Sequence, residues 1–192
     1  MKKIETGIND LFIIEPNVFG DNRGWFTESY NKESFKKIGI NIDFIQDNHS
    51  YSKEKGVLRG LHLQTEPKAQ TKLVRCTKGK ILDVAVDLRR NSPTYLKHFA
   101  VELSEDNKLQ LLIPKGFAHG FVTLTNDVEV QYKVDEYYSK EHDRSIKYND
   151  ILFDIDWGID NFILSDKDKN AISYEKSDIL FIYEEEKKWK FL

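Results

Sequence analysis

Leu73-Val74-Arg75-Cys76-Thr77-Lys78-Gly79-Lys80-Ile81-Leu82-Asp83-Val84-Ala85-Val86-Asp87-Leu88 is the stretch that decides the fold class. Two short runs rich in β-branched and apolar residues, Leu73 to Thr77 and Ile81 to Leu88, are separated only by the turn signal Lys78-Gly79. The same pattern repeats outward in Leu11 to Ile14, Val57 to Gln64, Phe99 to Leu103, Gln110 to Ile113, Gly120 to Leu124 and Val128 to Val134. Turn signals at Asn91-Ser92-Pro93, Glu105-Asp106-Asn107, Pro114-Lys115-Gly116 and Thr125-Asn126-Asp127 separate these runs. The spacing leaves little room for crossover helices, so it predicts an all-β antiparallel sandwich or barrel. One short helix is predicted from Asn31 to Ile38, with Asn31 as N-cap and Phe35 and Ile38 on one face. The tail from Ser173 to Leu192 joins a strand-like Ile179-Leu180-Phe181-Ile182 to the charged run Glu184 to Lys188 and reads as a closing helix or an edge segment.

A chain of 192 residues can bury a sizeable single core, and no repeat, low-complexity linker or break in composition divides it, so one domain is expected over residues 1–192. The 29 Lys+Arg and 32 Asp+Glu give a net charge of -3 with no long basic block, which argues against a nucleic-acid partner. The start, Met1-Lys2-Lys3-Ile4-Glu5, turns polar before an apolar leader can form. No apolar run approaches the roughly 20 residues that span a bilayer, so a soluble cytoplasmic protein is expected. The single cysteine, Cys76, lies in an alternating run and reads as a small apolar wall residue.

Chemistry concentrates between Gln46 and Lys72. There, Gln46-Asp47-Asn48-His49, Arg59-Gly60-Leu61-His62 and Gln70-Thr71-Lys72 bring anion-binding, proton-moving and amide groups close in sequence. Arg59 suits a phosphate through its planar fork of donors, His62 titrates near neutral pH, and Lys72 can neutralise charge developing on an oxygen. This set points to an enzyme that grips a phosphorylated small molecule. On a regular strand Arg59 and His62 face opposite sides. Both serve one site only if the strand is distorted, and Gly60 is where a bulge or kink is predicted.

In Ile113-Pro114-Lys115-Gly116-Phe117-Ala118-His119-Gly120-Phe121 a Pro/Gly turn delivers a histidine to the start of a strand. The segment resembles the second motif of the cupin superfamily. Metal-binding cupins carry a His-x-His pair and a following Glu in their first motif, whereas this chain has His62-Leu63-Gln64. His62 and His119 alone are too few for a usual three-ligand catalytic metal, so a metal-free cupin-like antiparallel barrel, a jelly roll with a few short peripheral helices, is expected.

The resemblance narrows to one family on a series of ordered motifs. These are Asp21 to Phe26, Gln46 to Ser50, Leu58 to His62, Ala69 to Lys72, Asp83 to Arg89, Pro114 to Phe121, Tyr137-Tyr138-Ser139 and Leu164 to Asp168. Together, from about Phe19 to Asp168, they closely resemble the dTDP-4-dehydrorhamnose 3,5-epimerases. Departures are Leu63 in place of an aromatic, Thr71 in place of Gly, and Gly158 after Trp157 in place of Pro.

The resemblance implies a cofactor-free epimerisation at C3 and C5, the carbons flanking the C4 ketone of dTDP-4-dehydro-6-deoxy-glucose, on the way to dTDP-L-rhamnose. The ketone acidifies both C–H bonds, so a base can form an enolate and an acid on the opposite face can return a proton with inverted stereochemistry. Carried over by residue, His62 matches the base, Asp168 its orienting carboxylate, Tyr138 the proton donor and Lys72 the group that stabilises the oxyanion. Arg23 and Arg59 match pyrophosphate contacts, and Phe19 and Glu28 thymine contacts. Gln46, Asn48, His119 and Lys167 match the lining of the phosphate and sugar region. The family also implies a homodimer.

Neighbouring residues compete for some of these roles. Tyr137 and Tyr138, if on a strand, face opposite sides, and only the family match selects Tyr138; Asp166 competes with Asp168 in the same way. His49 reads as a loop histidine bonded to backbone, and His98 and His142 as surface residues. Phe19, Phe26, Phe117 and Phe121 each have ordinary core packing as the plainer reading. Three alternatives stand beside the 3,5-epimerase: a relative acting at one centre or on another dTDP-keto-sugar, a nucleotide-sugar-binding cupin without catalysis, and a metal-dependent cupin oxygenase.

Overall fold

The structure, a computed structural model, describes residues 1–184. Its strands are β1 (Lys2–Glu5), β2 (Phe12–Glu15), β3 (Val18–Asp21), β4 (Gly24–Thr27), β5 (Gln46–Ser52), β6 (Leu58–Gln64), β7 (Lys72–Lys78) and β8 (Lys80–Asp87). They continue as β9 (Arg89–Arg90), β10 (His98–Ser104), β11 (Gln110–Ile113), β12 (Phe117–Thr123), β13 (Val128–Val134), β14 (Asp143–Ser145) and β15 (Phe181–Ile182). Helices are short: α1 (Lys32–Lys37) and α2 (Asp166–Lys169), with a single 3-10 turn at Tyr174–Lys176. The expected β runs are all present, displaced by a few residues at their ends. Asn31 caps α1 by accepting from the Glu33 and Ser34 amides, as its sequence position predicts.

Two antiparallel sheets, in the orders β1-β2-β11-β7-β13-β5 and β10-β8-β12-β6-β14, make the all-β cupin-like architecture. Period-two alternation allots each strand's side chains to a layer. Val74, Cys76, Ile81, Ala85, Leu111, Phe117, Phe121 and Val130 fill one end of the slot between the sheets. Cys76 is therefore the buried wall residue that was expected, and burial pushes its thiol up to about 11. The outer face of the second sheet is covered by the segment that follows β14: Val84, Val86, Ala118 and Val122 pack with Ile146, Phe153, Trp157, Tyr174 and Ile179. The outer face of the first sheet is closed by Phe35 of α1 and by Ile40 just after it, against Ile14, Leu73 and Leu112.

The tail resolves as an edge segment: β15 pairs parallel with β9, placing Phe181 opposite Arg89. Of the charged run, residues 185–188 lie outside the described residues. Strands β3 and β4 form a two-stranded hairpin separate from both main sheets, with Trp25 61% and Phe26 64% exposed. Sequence periodicity missed this hairpin because neither of its faces meets the core.

Candidate active site

The site originates in a fault in the pairing of β6 with β12. His62 lies opposite His119 and Arg59 opposite Phe121, so β6 takes three steps where β12 takes two. That extra residue is a β-bulge. Leu58, Leu61 and Leu63 all point to the outer core, while Arg59 and His62 both turn into the slot, as the sequence required of a distorted strand. Gly60 sits at the fault with φ of +140°, and a Cβ there would come within 2.5 Å of Gly120 Cα. Only glycine suits this close backbone crossing.

The slot end opposite the apolar core opens as a cavity of about 650 Å³. His62, Lys72, His119, Tyr138, Asp168, Arg59 and Lys167 line it, together with Ser50, Gln64, Gln70, Tyr132 and Asp143. A smaller cavity, about 270 Å³, lies over Asp47, His49, Arg75, Gln131 and Lys133, and none of the His62, Lys72, Tyr138 and Asp168 set lines it. Among the described residues, no three His, Cys, Asp or Glu side chains gather as a metal-binding group.

His62 Nε2 lies 2.5 Å from Asp168 Oδ1. Because an ionised carboxylate only accepts, that ring nitrogen carries the proton of this bond, and in the neutral imidazole the lone pair is left on the other nitrogen. Asp168 is itself fixed. Ser165, the N-cap of α2, accepts from the Asp168 amide at 3.1 Å and donates from Oγ to Asp168 Oδ2 at 2.8 Å. The signature Ser165-Asp166-Lys167-Asp168 is thus a capping sequence whose third helical position supplies the carboxylate. Burial acts to raise the Asp168 pKa, but the bonds from His62 and Ser165 outweigh it and hold the carboxyl below its usual range. Asp166 points to solvent, which separates the two competing aspartates.

Lys72 is buried, with its ammonium donating to the His62 carbonyl at 3.4 Å. Burial pushes its pKa down to about 8, against the attraction of Asp83 and Asp143. His119 forms a second histidine–carboxylate pair, Nε2 to Asp83 Oδ1 at 2.8 Å, and burial keeps its imidazole below the ordinary value. Tyr138 donates to Asp143 Oδ2 at 3.3 Å, the same oxygen that receives Lys167 Nζ at 2.6 Å. The tyrosine pair lies on the connection between β13 and β14 and not on a strand. Strand alternation therefore does not choose between them; of the two, only Tyr138 lines the cavity.

Gln64 explains how that connection is held. Its amide donates to the Lys68 and Tyr137 carbonyls, and its oxygen accepts from the Ser139 amide at 2.6 Å. The side chain that stands at a metal-ligand position of the cupin motif serves here as a tether for the tyrosine loop. Sequence reasoning missed this role, and it also missed Asp143, because a single acidic residue between polar neighbours carries no periodic signal.

Five of the anticipated contact residues lie away from the cavity lining. Arg23 is paired with Asp21 on the exposed hairpin. Phe19 and Glu28 meet at a separate depression, with Glu28 accepting from Asn31. Gln46 and Asn48 bond one another on the inward face of β5, the face on which Ser50 reaches the cavity. The remaining histidines are more engaged than expected. His49 bonds Glu129 across strands, while half-buried His98 and His142 bond the Phe153 carbonyl and Ser139 Oγ.

The family model described as dTDP-4-dehydrorhamnose 3,5-epimerase matches residues 5–176. The chain belongs to the dTDP-4-dehydrorhamnose 3,5-epimerase family. Within this epimerase family, the Shigella flexneri enzyme is 51% identical over 93% of this chain and 98% of its own. A 3,5-epimerase of Legionella pneumophila, solved in complex with dTDP-4-keto-L-rhamnose, is 44% identical. It superposes with a TM-score of 0.91 over 96% of this chain and 99% of that one. The Bacillus anthracis epimerase, solved with TDP and pyrophosphate bound, is 53% identical with a TM-score of 0.87, covering 88% and 97% of the two chains. The residues matched by the family model include every strand that contributes to the cavity.

Proposed function

We propose that this chain is a 3,5-epimerase acting on dTDP-4-dehydro-6-deoxy-glucose, in the cytoplasmic route to dTDP-L-rhamnose. The observation that carries this reading is the convergence of the His62–Asp168 pair, Lys72 and Tyr138 on one cavity. His62, its tautomer fixed by Asp168, takes the proton from the carbon beside the C4 ketone. The electron pair moves onto the C4 oxygen, where the ammonium of the buried Lys72 offsets the charge. Tyr138 then delivers a proton to the same carbon from the other side, inverting it. Repeating the cycle at the second carbon requires His62 to release its proton and Tyr138 to regain one. Asp143 and Lys167, hydrogen-bonded beside Tyr138, give the phenol polar neighbours through which to recover it.

Arg59 at the cavity rim serves the pyrophosphate. Arg23, Phe19 and Glu28 serve the nucleotide only if a second copy brings its hairpin to this cavity, so the reading includes a homodimer. The exposed Phe19, Trp25 and Phe26 supply the apolar surface that such a contact would cover.

The test is proton NMR of the keto-sugar nucleotide in D2O with chelator-treated protein. Deuterium entering at both C3 and C5 is the expected result. Entry at one carbon only would replace this reading with a single-centre epimerase, and dTDP binding without exchange would replace it with a binding module.

A further inference from the structure

We propose that Gln70 is a specificity-determining residue for this reaction: its side-chain oxygen accepts a hydrogen bond from a hydroxyl of the sugar ring. The proposal rests on the reading of the substrate as a dTDP-4-keto-sugar.

Gln70 belongs to the Ala69-Gln70-Thr71-Lys72 stretch, in which Lys72 alone has a task in the chemistry. Between buried Ala69 and buried Thr71 it is half-buried, and it lines the cavity together with Lys72. Its Nε2 donates to the Glu136 carbonyl at 2.7 Å. A carbonyl only accepts, so this bond fixes which arm of the amide is nitrogen and leaves Oε1 as the other arm. Among the described residues Oε1 receives no donor, and it is not one of the buried unpaired polar atoms, so it is open to solvent.

The bond to Glu136 is one of several that mount the tyrosine loop on the β6–β7 connection. Lys68 Nζ meets Glu136 Oε1 at 3.1 Å, and the Thr71 amide donates to Asp135 Oδ1 at 2.7 Å. With these contacts on either side of it, the Gln70 amide is held in one orientation. An acceptor fixed in this way loses little freedom when a ligand binds.

The rest of the lining shows which ligand group suits it. Gln64, the other amide of the lining, uses both of its ends on the loop. Asp168 is engaged by His62 and Ser165, and Asp143 by Tyr138 and Lys167. Arg59, Lys72 and Lys167 are donors, which suit the pyrophosphate and ketone oxygens. Ring hydroxyls have protons to give, and an amide oxygen receives them without carrying charge. Lys72 follows Gln70 by two residues and, on the proposed reading, faces the C4 oxygen. The hydroxyls at that end of the substrate are those on C3 and C2.

The test follows exchange at C5 in D2O for three nucleotide sugars, dTDP-4-dehydro-6-deoxy-glucose and its 2-deoxy and 3-deoxy forms. Wild type should show KM raised about 3–10-fold for the form that lacks the bonded hydroxyl, with kcat changed less than about twofold. A loss with the 3-deoxy form assigns the contact to the C3 hydroxyl, and a loss with the 2-deoxy form assigns it to C2. In Gln70→Met, which is similar in length and has no hydrogen-bonding amide, that discrimination should vanish whatever the overall rate, because weakening the loop mount acts on all three sugars alike. Discrimination that survives in Gln70→Met, or wild-type KM values within about twofold for all three sugars, would overturn the proposal and leave Gln70 a loop mount only. If Gln70→Met does not fold, Gln70→Glu decides: it keeps an acceptor of the same length and gives up the donor to Glu136, so it should retain the discrimination, and losing it overturns the contact. Should wild type exchange no substrate protons, the epimerase reading falls, and calorimetry of the same three sugars on wild type and variant tests the contact by itself.

Discussion

Replacing Gly60 with alanine tests the bulge on which the site depends. The added Cβ would sit 2.5 Å from Gly120 Cα and 3.0 Å from the His119 carbonyl oxygen, both backbone atoms of a paired strand that cannot swing aside. Overpacking of this kind costs about 1–3 kcal/mol. Holding a non-glycine residue at φ of +140° adds about 1–3 kcal/mol, since that region belongs to glycine. The sum, about 2–6 kcal/mol, is a large part of the roughly 5–15 kcal/mol that stabilises a typical domain. The chain can relieve the clash only by moving β6 away from β12 or by losing the extra residue. Losing it would return Arg59 and His62 to opposite faces. Urea unfolding should therefore show a loss of at least about 2 kcal/mol, and dTDP binding and C–H exchange should fall together, binding by about tenfold or more as Arg59 leaves the cavity. A variant within about 0.5 kcal/mol of wild type, with unchanged exchange, would refute the argument that this crossing demands glycine and sets both side chains.

Other predictions concern the reacting groups. Asp168→Asn should lower the exchange rate by about 10²–10⁴-fold with little change in dTDP affinity, because the amide no longer enforces the His62 tautomer; equal losses in rate and affinity, measured by single-turnover kinetics and calorimetry, would argue for a packing role instead. His62→Ala should abolish exchange and spare binding, whereas Arg59→Ala should weaken dTDP binding by about 10–100-fold, and calorimetry showing equal losses in both would undo the division of labour. Exchange should decline as pH rises through about 8, where Lys72 loses its proton. The same group links to stability with a fixed sign: between about 8 and 10.5 the unfolded chain holds a proton on Lys72 that the folded chain has released, so its contribution to stability rises with pH there. Urea titrations of wild type and Lys72→Met across that window should differ by this slope.

How much of this was legible in the sequence depends on what kind of signal each residue leaves. The sheet strands were readable because burial on one or both faces forces β-branched and apolar residues into a pattern, as in Ile81 to Leu88. β5 escaped because both faces of Gln46 to Ser52 are polar, one lining the inner slot and one facing solvent. The bulge at Gly60 could be inferred from chemistry, since Arg59 and His62 are useful together only if the alternation breaks. The β3–β4 hairpin, Gln64 and Asp83 were not readable in this way. The hairpin has no core face, and the roles of the two side chains are set by partners far away in sequence, Ser139 and His119.

The relation between Gln64 and His62 shows how a cupin slot can be turned to this chemistry by few changes. Both residues point into the slot from β6, two residues apart, on the face where the cupin pattern places a pair of ligands. In this chain each is committed to a different partner: His62 to Asp168, which arrives on α2 from 106 residues away, and Gln64 to the loop that presents Tyr138. One strand face thus fixes the base directly and the proposed acid indirectly, so the separation of base from acid is set by the rigid β6 pleat and not by the flexibility of the loop. A substitution at Gln64 that shortens the side chain or removes its amide is expected to act on Tyr138 through the loop and to leave the His62–Asp168 contact in place.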